Sequence, residues 1–517
     1  MSNKTYVYPA KTLSQSRNKF KMPHQHKTSF NHGLLIPLDV IEVLPGDTFK
    51  MDLATLIRMS TPIAPIMDNI TMHIAAYFVP NRLTFENWEQ LMGANKTGAW
   101  TQDPNTYDVP TCSMSGILNE DAIGCYMGLP GNVAGAISAL PGRAYYLIWN
   151  EFYRNQNVSA PYAVDLSDSG DILVGELSPA YTSQCLPLGK YADYFTKCLP
   201  EPQKGSDVLI PMNNLLVGLN PTNQNFDTMG LGDDLEVTYN YSKNKFGVSD
   251  GVDVPSDLIA NNVSNTINAL RFAFQLQKFY EKDARYGTRY FEMLNGHFGV
   301  TNPDGVLQRP QFLGEYNFRI NVDQVLSTAG YAASSSTTVG APGANSVTAK
   351  KGSLFTFSAT EHGLILIVGG TRHEHTYSQG WHRLFTRLDR LEFYDPVFAN
   401  IGEQPVYKYE LKYTPGDGRQ QVFGYQEAWA EYRFIPDRVS GLLNPNVTGS
   451  LDYWTLADKF TSTPSLNETF IYENRNSIKR ALVTGNSGPD FIADFYFDLT
   501  AVREMPLFSI PGLADHH

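Results

Sequence analysis

Two His-x-His pairs are the side chains of this sequence most suited to holding a metal ion. In RHEHTYSQG, His373 and His375 alternate as on a strand and so point to one side, where two imidazoles can share an ion. His24 and His26 repeat the spacing in KTLSQSRNKFKMPHQHK, residues 11–27, but sit among lysines, where added cation density is the simpler role. The acids of GDDLE, from Gly232, lack the alternating ligand pattern of a calcium loop. Cys112, Cys125, Cys185 and Cys198 give two C-x12-C spacings without the close pairs of a zinc ribbon or redox dithiol, and read as free buried thiols.

A cupin-type metal site would add a Glu three or four residues after the second His and a Gly six before the first. Gln379 and Ile367 stand nearest those positions, so neither pair is expected to bind metal, and no cofactor is expected. There is no G-x-S-x-G elbow, P-loop or dinucleotide-binding glycine motif. A glycosidase draws its two acids from distant positions and leaves no motif, so a jelly-roll carbohydrate-binding protein or glycosidase is the alternative to a non-enzymatic reading.

The sharpest signal is charge. Lys4, Lys11, Arg17, Lys19, Lys21 and Lys27 precede the first acid, Asp39, so the leader carries +6. The rest of the chain sets 34 cations against 52 acids, a net of −18. Such a body repels phosphate, so contact with nucleic acid has to be local. Residues 1–35 read as a basic arm that touches nucleic acid or an internal protein, with Tyr6, Tyr8 and Phe20 available to stack on bases. Six phosphate contacts on a single strand would give log K a slope of roughly −4 against log salt.

The elements that position these groups are mostly strands. In FIADFYFDLTA, Phe491, Ala493, Phe495, Phe497, Leu499 and Ala501 line one face, and ITMHIAAYFV alternates in the same way as a half-buried strand. GLILIVGGTR is apolar on both faces and suits a covered central strand, and AWAEYRF around Trp429 reads as another strand. Helical spacing appears in RAYYLIWNEFYRNQN and in TINALRFAFQLQKFYEKDAR. Strands separated by hundreds of residues argue for a β-sandwich with large insertions. The composition, 18% charged and 12% aromatic with 41 Gly and 31 Pro, fits strands joined by long ordered loops. The length prior of roughly 150 residues per domain suggests about three domains, but all-β chains often exceed it. Neither a secretory leader nor a membrane span is visible, so the chain reads as soluble and cytosolic when made, without membrane insertion.

Several stretches in order resemble the major capsid protein of the gokushoviruses, small single-stranded DNA phages of the microvirus family. They include LPGDTFKMD, TPIAPIMDNI with YFVPNRL, RAYYLIWNEFYRNQN, YADYFTKCLPEPQKG, LQRPQFLGE, TYSQG and FIPDRVSG, and cover the chain from about Met22 to its end. The resemblance implies an all-β fold, an eight-stranded viral jelly-roll β-sandwich whose long insertions hold a few helices. It places residues 36–517 in a single jelly-roll domain with a surface protrusion loop at about 205–262, while the Ser-, Thr-, Ala- and Gly-rich composition at about 330–352 reads as a flexible loop. It further implies a T=1 icosahedral shell of about sixty copies, enclosing circular genomic single-stranded DNA. Sixty arms would bring only about 360 cations, so an internal small basic DNA-binding protein is an expected partner. The other implied partners are an internal scaffolding protein, a DNA pilot protein and a bacterial surface receptor. The implied setting is the virion capsid, with assembly in the host cytoplasm. Phe226, Met229, Leu231, Tyr239 and Tyr241, aromatic and apolar residues in a polar stretch, are the expected host-attachment contacts.

Overall fold

The computed structural model describes residues 16–94, 107–117, 119–130, 132–174, 180–206, 208, 218–219, 225–227, 237–240, 245–248, 267–286, 289–301, 303–326, 342–416, 420–485 and 487–508. Two compact units are present, one made of Met1–Pro202 with Thr288–His517, the other of Gln203–Gly287. In the first, the strands of the two large sheets are β1 Arg17–Lys21, β2 His24–Phe30, β3 Ile36–Val43, β4 Thr48–Met59, β5 Ile70–Pro80, β6 Gln311–Ile320, β7 Val347–Ser358, β8 Gly363–His373 and β9 Phe491–Glu504.

One sheet has the order β1-β9-β4-β7, with β2 also paired to β9, and the other the order β6-β5-β8-β3. Every pairing in them is antiparallel. Period-2 patterning sets which side of each strand is buried. Phe491, Ala493, Phe495, Phe497, Leu499 and Ala501 of β9 and Phe49, Met51, Leu53 and Ile57 of β4 face Leu38, Ile74, Ile365 and Ile367 of the other sheet in one core. Burial of the Phe, Leu, Ile and Met side chains among these contributes on the order of 1.5–3 kcal/mol each.

The second sheet is covered on its other face as well. Helix α1, Leu140–Ile148, runs into a π-helical turn at Trp149–Tyr153, where the RAYYLIWNEFYRNQN pattern predicts a helix. The turn brings Tyr153 against the sheet, with its hydroxyl 3.0 Å from Nε2 of His73 and 3.1 Å from the Tyr77 hydroxyl. β5 is therefore buried on both sides instead of on one, and β8 is buried almost throughout, as its sequence predicts. Arg143, fully buried on α1, donates five hydrogen bonds to the carbonyls of Thr84, Ser167, Ser169 and Asp171, two of them to Asp171, and so holds the 165–171 loop onto the helix.

Three expectations are corrected. From Arg17 the supposed arm is already in the sheet, because Phe20 and Phe30 alternate toward the core against Ala501 and Phe491. Of the 330–352 loop, residues 342–345 form a strand paired with Asp323–Leu326, and 347–352 open β7; 330–341 lie outside the described residues. Trp429 is not in a strand. Its φ of 62° turns the chain into a short 3-10 helix, Ala430–Tyr432, with the indole N–H donating to the Phe398 carbonyl at 2.9 Å.

The unit Gln203–Gly287 contains a four-stranded antiparallel sheet of Gly218–Leu219, Asn225–Asp227, Val237–Asn240 and Lys245–Val248, and helix α2, Ile267–Arg285, where helical spacing predicts one. Among the described residues no helix is long and apolar enough to cross a membrane.

Candidate assembly and nucleic-acid surfaces

The outer face of the first sheet gathers cations from strands far apart in sequence. Arg17, Lys19 and Lys21 alternate on β1 opposite Glu504, Val502 and Thr500, and Lys27 on β2 stands opposite Asp494. All four are exposed. Register adds Lys50 and Arg58 of β4 and Lys351 of β7 to the same side, where Tyr496 of β9 is also partly exposed. Asp52, Asp494 and Asp498 interrupt the face, and Lys50 lies 3.7 Å from Asp52. Lys4 and Lys11 lie outside the described residues. The sequence reading missed Lys50, Arg58 and Lys351, because only strand register brings them beside the N-terminal cations.

His24 and His26 do not add to this face. They point inward and join the sheets: His24 Nε2 is 2.9 Å from Asp39 Oδ2, and His26 Nδ1 is 2.7 Å from the Leu38 carbonyl, both on β3. His24 also stacks on Phe497. The hydrogen bond from Asp39 outweighs partial burial and raises the His24 pKa above 6.5.

A second surface is apolar. Between residues 383 and 401 three 3-10 turns, Arg383–Phe385, Arg390–Glu392 and Pro396–Phe398, and the links between them hold Phe385, Leu388 and Val397 at 73, 78 and 84% exposure, with Ile435 at 80%. Solvated loops of a monomer do not hold so many large apolar side chains outward. They are held from below by a buried ionic network. Arg383 lies 2.9 Å from Glu410 and 3.5 Å from Glu431, and Arg387 lies 3.1 Å from Glu431. Burial lifts the Glu410 pKa despite Arg383, a sign of how dry the network is. Asp395 caps Val397 N–H at 2.9 Å and fixes the last turn.

Of the expected host-attachment residues, Phe226 lies in Asn225–Asp227 opposite Val237, and Tyr239 lies in Val237–Asn240 opposite Phe246. Met229, Leu231 and Tyr241 lie outside the described residues.

His373 and His375 meet partners from three other segments. His375 Nδ1 lies 2.8 Å from Asp458 and its Nε2 3.1 Å from Glu473, while Lys190 Nζ approaches Asp458 at 3.3 Å. Burial disfavours the His375 cation, but the two carboxylates outweigh it and hold its pKa at about 9. Burial lowers His373 to about 4, so that ring is neutral near pH 7. Cys112, Cys185 and Cys198 are free and buried as expected, whereas Cys125 is free and exposed.

These surfaces fit what the chain is similar to. The family described as "Capsid protein (F protein)" matches residues 10–513. "Capsid protein VP1" of Chlamydia phage 1 is 36% identical, covering 99% of this chain and 98% of that protein. "Capsid protein VP1" of Bdellovibrio phage phiMH2K is also 36% identical, over 97% and 96%, and that of Spiroplasma virus 4 is 32% identical, over 96% and 95%. No catalytic activity is indicated by this structural family. The matches run almost from end to end, and the chain belongs to the phage capsid protein (F protein) family, that of the gokushovirus major capsid proteins.

Proposed function

We propose that this capsid protein closes on itself into a T=1 icosahedral shell around a circular single-stranded DNA genome. The observation that carries the reading is the exposed apolar segment at 383–401, rigidly supported by Arg383, Arg387, Glu410 and Glu431, which needs a covering surface of large area. Identical copies supply it, and a symmetric arrangement that closes leaves no such face uncovered.

The strand order supports a viral jelly roll. Taking β2 to β9 as the eight strands in chain order, the first, eighth, third and sixth lie side by side in one sheet, and the second, seventh, fourth and fifth in the other. The chain changes sheet at every step except from β5 to β6, and its first and last strands lie side by side, as in two nested Greek keys. In the proposed shell the outer face of the first sheet, with Lys19, Lys21 and Lys27, lies inward toward DNA or a small basic DNA-binding protein. A scaffolding protein assists assembly, and a DNA pilot protein travels with the particle. The unit Gln203–Gly287, with Phe226, Met229, Leu231, Tyr239 and Tyr241, forms a threefold protrusion that contacts a bacterial surface receptor by avidity.

Co-expression with the neighbouring phage genes, followed by sedimentation, tests the reading: wild-type chain enters particles of one size, and Leu388→Asp chain stays in slow-sedimenting species. Wild-type chain found only as small oligomers would overturn it. The carbohydrate-active alternative gains no specific observation.

A further inference from the structure

We propose that His32, His373 and Glu473 form a site for a divalent transition-metal ion, of the zinc, cobalt or iron(II) kind, that staples the segment after β2 and the segment before β9 to the end of β8. The proposal does not depend on the capsid reading. His32 follows β2, His373 ends β8, and Glu473 follows the helical turn Glu468–Ile471.

The three atoms in question form a nearly equilateral triangle. His32 Nε2 lies 3.0 Å from His373 Nδ1 and 3.1 Å from Glu473 Oε2, and His373 Nδ1 lies 3.0 Å from the same oxygen. All three side chains are completely buried.

Hydrogen on one or both of the facing ring nitrogens leaves this triangle with an unfavourable edge. If both nitrogens carry hydrogen and donate to Glu473, two N–H groups face each other across 3.0 Å. If only one does, the other nitrogen turns a lone pair toward the carboxylate oxygen. Each of these arrangements leaves one edge repulsive, whereas a single cation facing three lone pairs makes all three contacts favourable. The spacing also suits an ion. Three donors about 2.1 Å from a metal on one face of an octahedron stand about 3.0 Å apart, while a tetrahedron would set them about 3.4 Å apart. Two imidazoles and a carboxylate on one face are ligands that iron(II), cobalt and zinc accept.

The surroundings hold each donor in place, as outer partners do for metal ligands. His32 Nδ1 meets Thr371 Oγ1 at 2.9 Å, and the His32 backbone N–H donates to Asp490 at 2.9 Å. Glu473 Oε1 accepts the His373 backbone N–H at 3.2 Å, and His375 Nε2 lies 3.1 Å from Oε2. The His373 ring has no other polar attachment, since its Nε2 is buried without a partner among the described residues. Gly33 makes the approach possible: its φ is +78°, and a Cβ there would sit 2.7 Å from that of Glu473. A cavity of about 510 Å³ borders the site, lined in part by His32, Glu473, Asn474 and Arg475.

The test is metal analysis of the full-length chain, stripped with a chelator and reloaded with zinc or cobalt(II). About one ion per chain is expected after gel filtration. Cobalt should give weak visible bands of nitrogen and oxygen ligation, without the sulfur charge-transfer band that binding at exposed Cys125 would produce. His32→Gln and Glu473→Gln should lower zinc affinity at least about tenfold, while Cys125→Ser leaves it unchanged. Should those variants fail to fold, melting of the wild-type chain decides, and its temperature should rise with zinc concentration. Wild-type chain that retains no zinc and melts at the same temperature with zinc as with chelator would overturn the site, as would undiminished binding by Glu473→Gln.

Discussion

Nε2 of His24 lies 2.9 Å from Oδ2 of Asp39, and this pair ties an edge strand of one sheet to β3 of the other. Since the hydrogen bond to Asp39 raises the His24 pKa above its unfolded value of 6.5, the contact's stability is fully present below about pH 6.5 and is lost as pH rises through the folded-state value. Asp39 is the one charged group among the contacts that shift His24, the others being burial and the Met22 carbonyl. Amide exchange of residues 24–30 should therefore be slower, relative to intrinsic rates, at about pH 6 than at about pH 8, and His24→Gln should flatten that difference. Equal protection at both pH values in the wild type would count against the pair.

Exposed apolar residues at 383–401 separate assembly from folding. Leu388→Asp and Val397→Asp touch no core contact, so each should move monomer stability by no more than about 0.5 kcal/mol. Both should still block particle formation, because an uncompensated carboxylate would be buried in each contact. Sedimentation and thermal melting of the same samples check the two halves.

Arg143 is the reverse case, a buried cation whose partners are all backbone carbonyls. Arg143→Met leaves those acceptors dry and unpaired and should cost about 3 kcal/mol or more, read by chemical denaturation. Arg143→Lys should recover only a fraction, since an ammonium cannot reproduce the planar fork of donors.

Replacing Lys19, Lys21 and Lys27 by Gln should weaken single-stranded DNA binding uniformly across sequences. If all three meet phosphate, the slope of log K against log salt should become shallower by about 2. Fluorescence anisotropy at several salt concentrations checks this. An unchanged slope would assign the face to a protein partner.

How far the sequence reached depends on the range of the physics involved. Phe491 to Ala501 and Gly363 to His373 were legible because alternation, or its absence, records burial residue by residue. Trp429 misled because one positive φ ends an otherwise strand-like pattern. His24 and His26 looked like cations in a basic stretch, since nothing local announces Asp39 and the Leu38 carbonyl across the sandwich. The partners of His373 were further out of reach: His32 is separated from it by 341 residues and Glu473 by 100. Lys50, Arg58 and Lys351 joined the basic face only through strand register.

The central claim is that this chain builds a closed shell, and cryo-electron microscopy of the protein co-expressed with the neighbouring phage genes tests it most directly. The account predicts uniform icosahedral particles in which residues 383–401 are covered by a neighbouring copy and the Lys19–Lys21–Lys27 face lies inside. Small open oligomers that leave Phe385, Leu388 and Val397 in solvent, with scaffold present, would contradict it.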